Sequence, residues 1–246
     1  AINGWPLVAL ICTPISVLVV NRMFEIGLSA PASVSEMIGY SVRWAIVFIF
    51  IVVATSSLRQ LFPNELTGWL MRNRKYVGMC FAVIMAWQAV FIWMVSTLHR
   101  NYYFEEVYLF RDELEGTVGY IFLASMVATS FSFFRRRMNL LEWKLIQKGG
   151  VYFLWAYPFS VYWWNVFGYG YEPDEIELHD YGFYWLGFLA FSLRIAAWGH
   201  ARQKSARANT PAVNTSVLCK TLGGFLIGLG LLLSATGHYW YNDSLV

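Results

Sequence analysis

The hydrophobic positions of this sequence fall in long runs broken by shorter polar and charged segments, and they follow neither the alternation of a strand nor the one-sided stripe of a surface helix. A bilayer core ~30 Å thick is crossed by about 20 apolar helical residues. Seven runs meet or nearly meet that length: 5–23, 39–57, 76–98, 117–134, 149–167, 181–199 and 221–239. The predicted architecture is therefore all-α, a polytopic transmembrane helical bundle of about seven helices with little chain outside the bilayer. The first run precedes a small-residue stretch, Leu28-Ser29-Ala30-Pro31-Ala32, of the kind that follows a signal peptide. It has no basic segment ahead of it and is read as a retained helix. Residues 1–200 are expected to form a six-helix core, 201–220 a cytoplasmic linker around Pro211, and 221–246 an additional C-terminal helix.

Composition strengthens the membrane reading. Hydrophobic residues make up 58% of the 246 positions and charged residues only 13%, a balance that leaves lipid as the solvent for most of the surface. Many of the Trp and Tyr residues lie at the ends of apolar runs, where their rings suit the headgroup region. The net charge of +3 is spread over several breaks, so nucleic acid is not an expected partner. Cys12, Cys80 and Cys219 stand singly, without metal or disulfide spacing, and are read as small packing residues.

The breaks alternate in charge. Arg59, Arg72, Arg74 and Lys75, then Arg135, Arg136, Arg137 and Lys144, then Arg202, Lys204, Arg207 and Lys220 form one set. Glu105, Glu106, Asp112, Glu113 and Glu115, then Glu172, Asp174, Glu175, Glu177 and Asp180 form the other. By the positive-inside rule the basic set is cytoplasmic, which puts the N-terminus inside and the C-terminus outside, as in a bacterial inner membrane. Arg43 and Arg194 lie near run ends and can snorkel to the interface.

The middle of the chain carries short motifs. Arg72-Asn73-Arg74-Lys75-Tyr76-Val77-Gly78 leads into the third run, the fourth leaves through Thr129-Ser130 into Arg135-Arg136-Arg137, and Trp143 stands ahead of Gln147 at the entry to the fifth. Over roughly residues 39–198 this resembles the ferric-reductase-like transmembrane domain family, which includes the haem-binding membrane subunit of methionine sulfoxide repair and, more distantly, NADPH oxidases. The family pattern is R-x-R-R-x-x-G before one helix, Thr-Ser at the end of the next, and W-x-x-x-H opening the third. The resemblance implies a six-helix core that holds b-type haem through histidines inside the helices.

This chain departs from the pattern at the ligands. Ten residues after the motif glycine it has Gln88, at the W-x-x-x-H slot it has Gln147, and thirteen residues further on it has Ser160. A carboxamide or hydroxyl oxygen is a poor axial partner for haem iron. The fold is expected without the haem. Gln88 falls near the middle of its run and Ser160 at a similar depth, and polar groups at that depth need partners within the bundle. Gln88, Gln147 and Ser160 are accordingly either interhelical hydrogen-bonding groups or contacts to a bound lipid, quinone or pigment.

Of the four histidines, His99, His179 and His238 map to the external side and His200 to the cytoplasmic side, with no metal spacing among them. No nucleophile elbow, zinc-protease motif, P-loop or dinucleotide fingerprint is present. The last run contains Gly224 and Gly228, a G-x-x-x-G that suits close helix approach to a partner. The expected function is a non-catalytic, haem-free accessory or scaffolding subunit of a larger membrane complex, in contact with lipids and other integral membrane subunits. The alternative is a membrane oxidoreductase that binds haem or quinone through residues such as His99 or His238. A transporter or channel is disfavoured, because no midplane ionisable residue marks a pathway.

Overall fold

A computed structural model describes residues 2–108, 110–168 and 176–207. Among these the chain is helical throughout, without strands: α1 (Trp5–Ile26), α2 (Pro31–Leu61), α3 (Glu65–Leu98), the single turn α4 (Arg100–Tyr102), a π-helical turn (Tyr103–Val107), α5 (Phe110–Thr129), the short α6 (Ser132–Arg135), α7 (Leu140–Trp163), a second π-helical turn (Trp164–Gly168) and α8 (Leu178–Arg207). Three helices, α1, α2 and α3, are long and apolar enough to cross a membrane. Helices α5, α7 and α8 overlap the expected fourth, fifth and sixth spans and have the length, but not that degree of apolarity, and α5 ends at Thr129, short of the expected 134. Acidic residues at the head of α5, and Tyr and Trp in place of aliphatic side chains in α7 and α8, account for the difference. The expected seventh span, with Gly224 and Gly228, lies outside the described residues.

The expected cytoplasmic break before the third span is itself helical. Helix α2 runs on to Leu61 and α3 starts at Glu65, so the basic segment is a helical hairpin whose turn occupies only Phe62-Pro63-Asn64. Hydrophobicity decides where lipid begins, not where a helix ends. Arg, Leu, Met and Lys all propagate a helix, and the interruption comes at Pro63 and the cap Asn64. The Asn64 side chain accepts from the Thr67 amide at 2.9 Å and the Thr67 hydroxyl accepts from the Asn64 amide at 3.1 Å, a reciprocal cap. At 31 and 34 residues, α2 and α3 are about 46 and 51 Å long at 1.5 Å per residue, well beyond the hydrocarbon core. Helix α2 also begins eight residues before its expected span, because Pro31 is well placed in a first turn. Gly27 ends α1 at φ 67°, ψ 142°, a conformation that only glycine adopts without strain.

The chain divides into two compact units, Ala1–Tyr157 and Pro158–Val246, where the sequence predicts one bundle. Pro158 sits at the division, inside α7, and removes one backbone donor from that helix. In the first unit α2 and α3 pack along each other and α1 lies against both. Val8 and Cys12 of α1 meet Met79 and Cys80 of α3, with Phe48 of α2 and Val127 of α5 against them. Buried hydroxyls need no distant partner here: Ser41 donates to the Ile38 carbonyl at 2.9 Å and Thr55 to the Ile51 carbonyl at 2.6 Å. In the second unit Tyr184 of α8, only 2% exposed, is stacked by Phe159 with ring centres 5.4 Å apart and met edge-on by Phe167 at 5.0 Å. Helix α8 continues to Arg207, so the first residues of the expected linker are helical.

Candidate functional site

Gln88 stands on α3, ten residues before its C-terminal end. Its Oε1 accepts a hydrogen bond from the Tyr120 hydroxyl of α5 at 2.8 Å. The same hydroxyl lies 3.2 Å from the Met85 carbonyl, so its one proton faces two acceptors on a single turn of α3, Gln88 being the nearer. Tyr120 was not legible as a partner in the sequence; the signal was a tyrosine at matching depth one helix on, which gains meaning only once α3 and α5 are known to be neighbours.

Gln147 stands two turns into α7. Its Nε2 donates to the Thr129 hydroxyl at 3.0 Å and to the Met126 carbonyl at 3.1 Å, both at the end of α5. Thr129 is buried and turns its own hydroxyl proton back to the Ser125 carbonyl at 2.7 Å, which leaves its oxygen free to accept from Gln147. The motif pair Thr129-Ser130 is thus an α5 terminus whose hydroxyls both bond back along the helix, Ser130 to the Met126 carbonyl at 2.7 Å. Gly150 of α7 lies against the Met126 side chain of α5: a Cβ there would lie 2.3 Å from the Met126 sulfur. Ser160, the third expected position, is half-buried in the second unit.

The motif residue Asn73 has a role that the sequence did not reveal. Only 1% exposed, it accepts from the Gly4 amide at 3.1 Å and donates to the Asn3 side chain at 2.7 Å and the Trp69 carbonyl at 3.0 Å. With the Trp69 indole donating to the Ile2 carbonyl at 3.0 Å, it pins the chain start onto α3. Its neighbour Arg74 donates to the Val52 carbonyl of α2 at 3.1 Å. The basic motif serves helix packing at these two positions.

Beyond the C-terminal end of α3, Tyr103 donates to Glu113 at 2.5 Å. Burial, then the Glu113 carboxylate, pushes the Tyr103 hydroxyl up to about 12. His179 lies between two carboxylates, with Nδ1 2.9 Å from Glu177 and Nε2 3.3 Å from Asp180, while Asn165 donates to Asp180 at 3.3 Å. Because the two ring nitrogens face opposite carboxylates, these groups do not converge on one point. Among the described residues no group of three His, Cys, Asp or Glu side chains is placed to hold a metal ion. His99 closes α3, His200 is exposed on α8, and His238 lies outside the described residues.

No family model, curated protein or solved structure matches this chain. The ferric-reductase-like resemblance has therefore to be weighed on the chain's own residues, and those residues do not fit haem. Gln88 has its carbonyl oxygen engaged by a phenol, and Gln147 has its amide nitrogen committed to Thr129 and Met126. What the arrangement does is join helices: Gln88 ties α3 to α5, and Gln147 ties α5 to α7.

Proposed function

We propose that this protein is a non-catalytic, haem-free derivative of the ferric-reductase-like fold, serving as an accessory or scaffolding subunit of a larger complex in the bacterial inner membrane. The observation that carries the reading is the use made of Gln88 and Gln147. At two of the three positions where the resembling family places a haem-ligating histidine, this chain has a carboxamide bonded to the neighbouring helix. A position spent on interhelical bonding is no longer one that holds a redox centre, and these bonds, worth ~0.6 to 2 kcal/mol each in a membrane, favour a rigid bundle. The apolar faces of α1 to α3 are in contact with lipid, and the sequence-read helix at 221–239, with Gly224 and Gly228, is the docking element for another integral membrane subunit.

Purification from native membranes in mild detergent tests this directly. The expected result is co-purification with at least one other membrane protein at fixed stoichiometry, with no Soret band from this chain that shifts on dithionite reduction. One b-type haem per chain would overturn the proposal in favour of the oxidoreductase. Isolation as a lone polypeptide at every detergent concentration would remove the scaffolding role.

A further inference from the structure

The turn from α5 into α7 gathers cations that meet no carboxylate. Lys75 of α3 has its ammonium 5.5 Å from the Phe131 ring centre, and the Phe131 carbonyl accepts from the Arg135 amide at 3.0 Å. The Arg135 guanidinium lies 4.9 Å over Trp143, and Arg137 lies 3.9 Å over Phe133. Lys75 and the run Arg135-Arg136-Arg137 thus border one turn, where the Arg135 guanidinium also donates to the Met138 carbonyl at 3.1 Å. None of the four forms an ion pair among the described residues. The carboxylate nearest in sequence, Glu142, is engaged by the Asn139 amide at 2.9 Å as a helix cap. Stacking on a ring leaves a cation's charge unneutralised, so the patch attracts anions.

The same turn exposes large apolar groups, Phe131, Phe133, Phe134, Leu140, Leu141 and Leu145. A turn immersed in water would gain nothing from them. Interleaved with Lys and Arg, they form the pattern that seats chain at the boundary between headgroups and acyl tails. A free inorganic anion would satisfy the cations and leave the apolar groups wet; a phospholipid answers both.

We propose that this turn binds the headgroup of an anionic phospholipid, its phosphate held by Lys75, Arg135 and Arg137 and its acyl boundary covering Phe133, Phe134 and Leu141. The inference rests on the membrane-spanning character of α1 to α3 and is independent of any scaffolding role.

The test uses the full chain in neutral detergent and measures phosphatidylglycerol and phosphatidylcholine binding by native mass spectrometry. Phosphatidylglycerol is expected to bind in preference. Replacing all three cations, Lys75→Gln with Arg135→Gln and Arg137→Gln, should weaken phosphatidylglycerol binding by about fivefold per charge, about 100-fold in all, and leave phosphatidylcholine unchanged. The charge-conserving set Lys75→Arg, Arg135→Lys and Arg137→Lys should retain the preference, and millimolar inorganic phosphate should not displace the lipid. Equal binding of the two lipids, or wild-type binding in the Gln variant, would overturn the proposal. So would loss in the charge-conserving set, which would assign the effect to packing, and displacement by phosphate or an acidic peptide, which would assign the patch to a different ligand.

Discussion

Gln88 and Gln147 perform complementary halves of one task, since Gln88 accepts from α5 through its oxygen while Gln147 donates to α5 through its nitrogen. Depth marked Gln88 in the sequence as a group needing partners and favoured a neighbouring helix over a ligand, but it did not name the partner. Tyr120 is that partner, and Thr129 is the partner of Gln147. A double-mutant cycle of Gln88→Leu and Tyr120→Phe should give a coupling energy of about 0.6 to 1.5 kcal/mol in chemical unfolding from detergent; additive losses would mean the two side chains do not interact. Tyr103 supplies a pH signature at the same scale. Its folded-state value, about 12, lies above the ordinary tyrosine value of about 10, so the bond to Glu113 contributes fully below pH ~10 and is lost as pH rises toward 12. The stability difference between wild type and Tyr103→Phe should be constant from neutral pH to about 10 and shrink above it. A difference that does not change with pH would remove the Tyr103 proton from the account.

Among the elements, the α2–α3 hairpin and the α5–α7 pair show what apolar run length does and does not tell. Run lengths located the lipid-facing parts of α2 and α3, and the sequence expectation stopped both helices there. The continuation to Leu61 and from Glu65 depends on helix propensity and on the reciprocal Asn64 and Thr67 cap. Asn64→Ala should lower unfolding stability by about 1 kcal/mol without loss of helical circular dichroism; an unchanged midpoint would show that tertiary contacts hold the turn unaided. At the α5–α7 contact, Gly150→Leu must displace Met126 and Phe122 and should cost about 1 to 3 kcal/mol, read as a lower melting temperature in detergent. Gly150→Ala should cost much less, because the Met126 sulfur is near the end of a flexible side chain; equal losses from the two variants would place the close approach elsewhere.

For the molecule as a whole, α3, with 34 residues, is long and apolar enough to span, and a helix that spans has its two ends on opposite sides of the bilayer. In a background with Cys12, Cys80 and Cys219 replaced by Ala, Pro63→Cys should label only from the cytoplasmic side and Glu105→Cys only from the external side; labelling of both from one face would show that α3 does not cross. All-helical class, membrane association and the separation of basic from acidic ends follow from the sequence by itself. They depend on composition and on the spacing of apolar runs, which act through solvent and not through particular neighbours. The partners of Gln88, Gln147 and Asn73, the length of the basic hairpin, the division at Pro158 and the gathering of Lys75, Arg135 and Arg137 were decided only in the tertiary structure. Each depends on which helix lies beside which and at what height, and lipid, which solvates every apolar face alike, leaves that choice to side chains far apart in the chain.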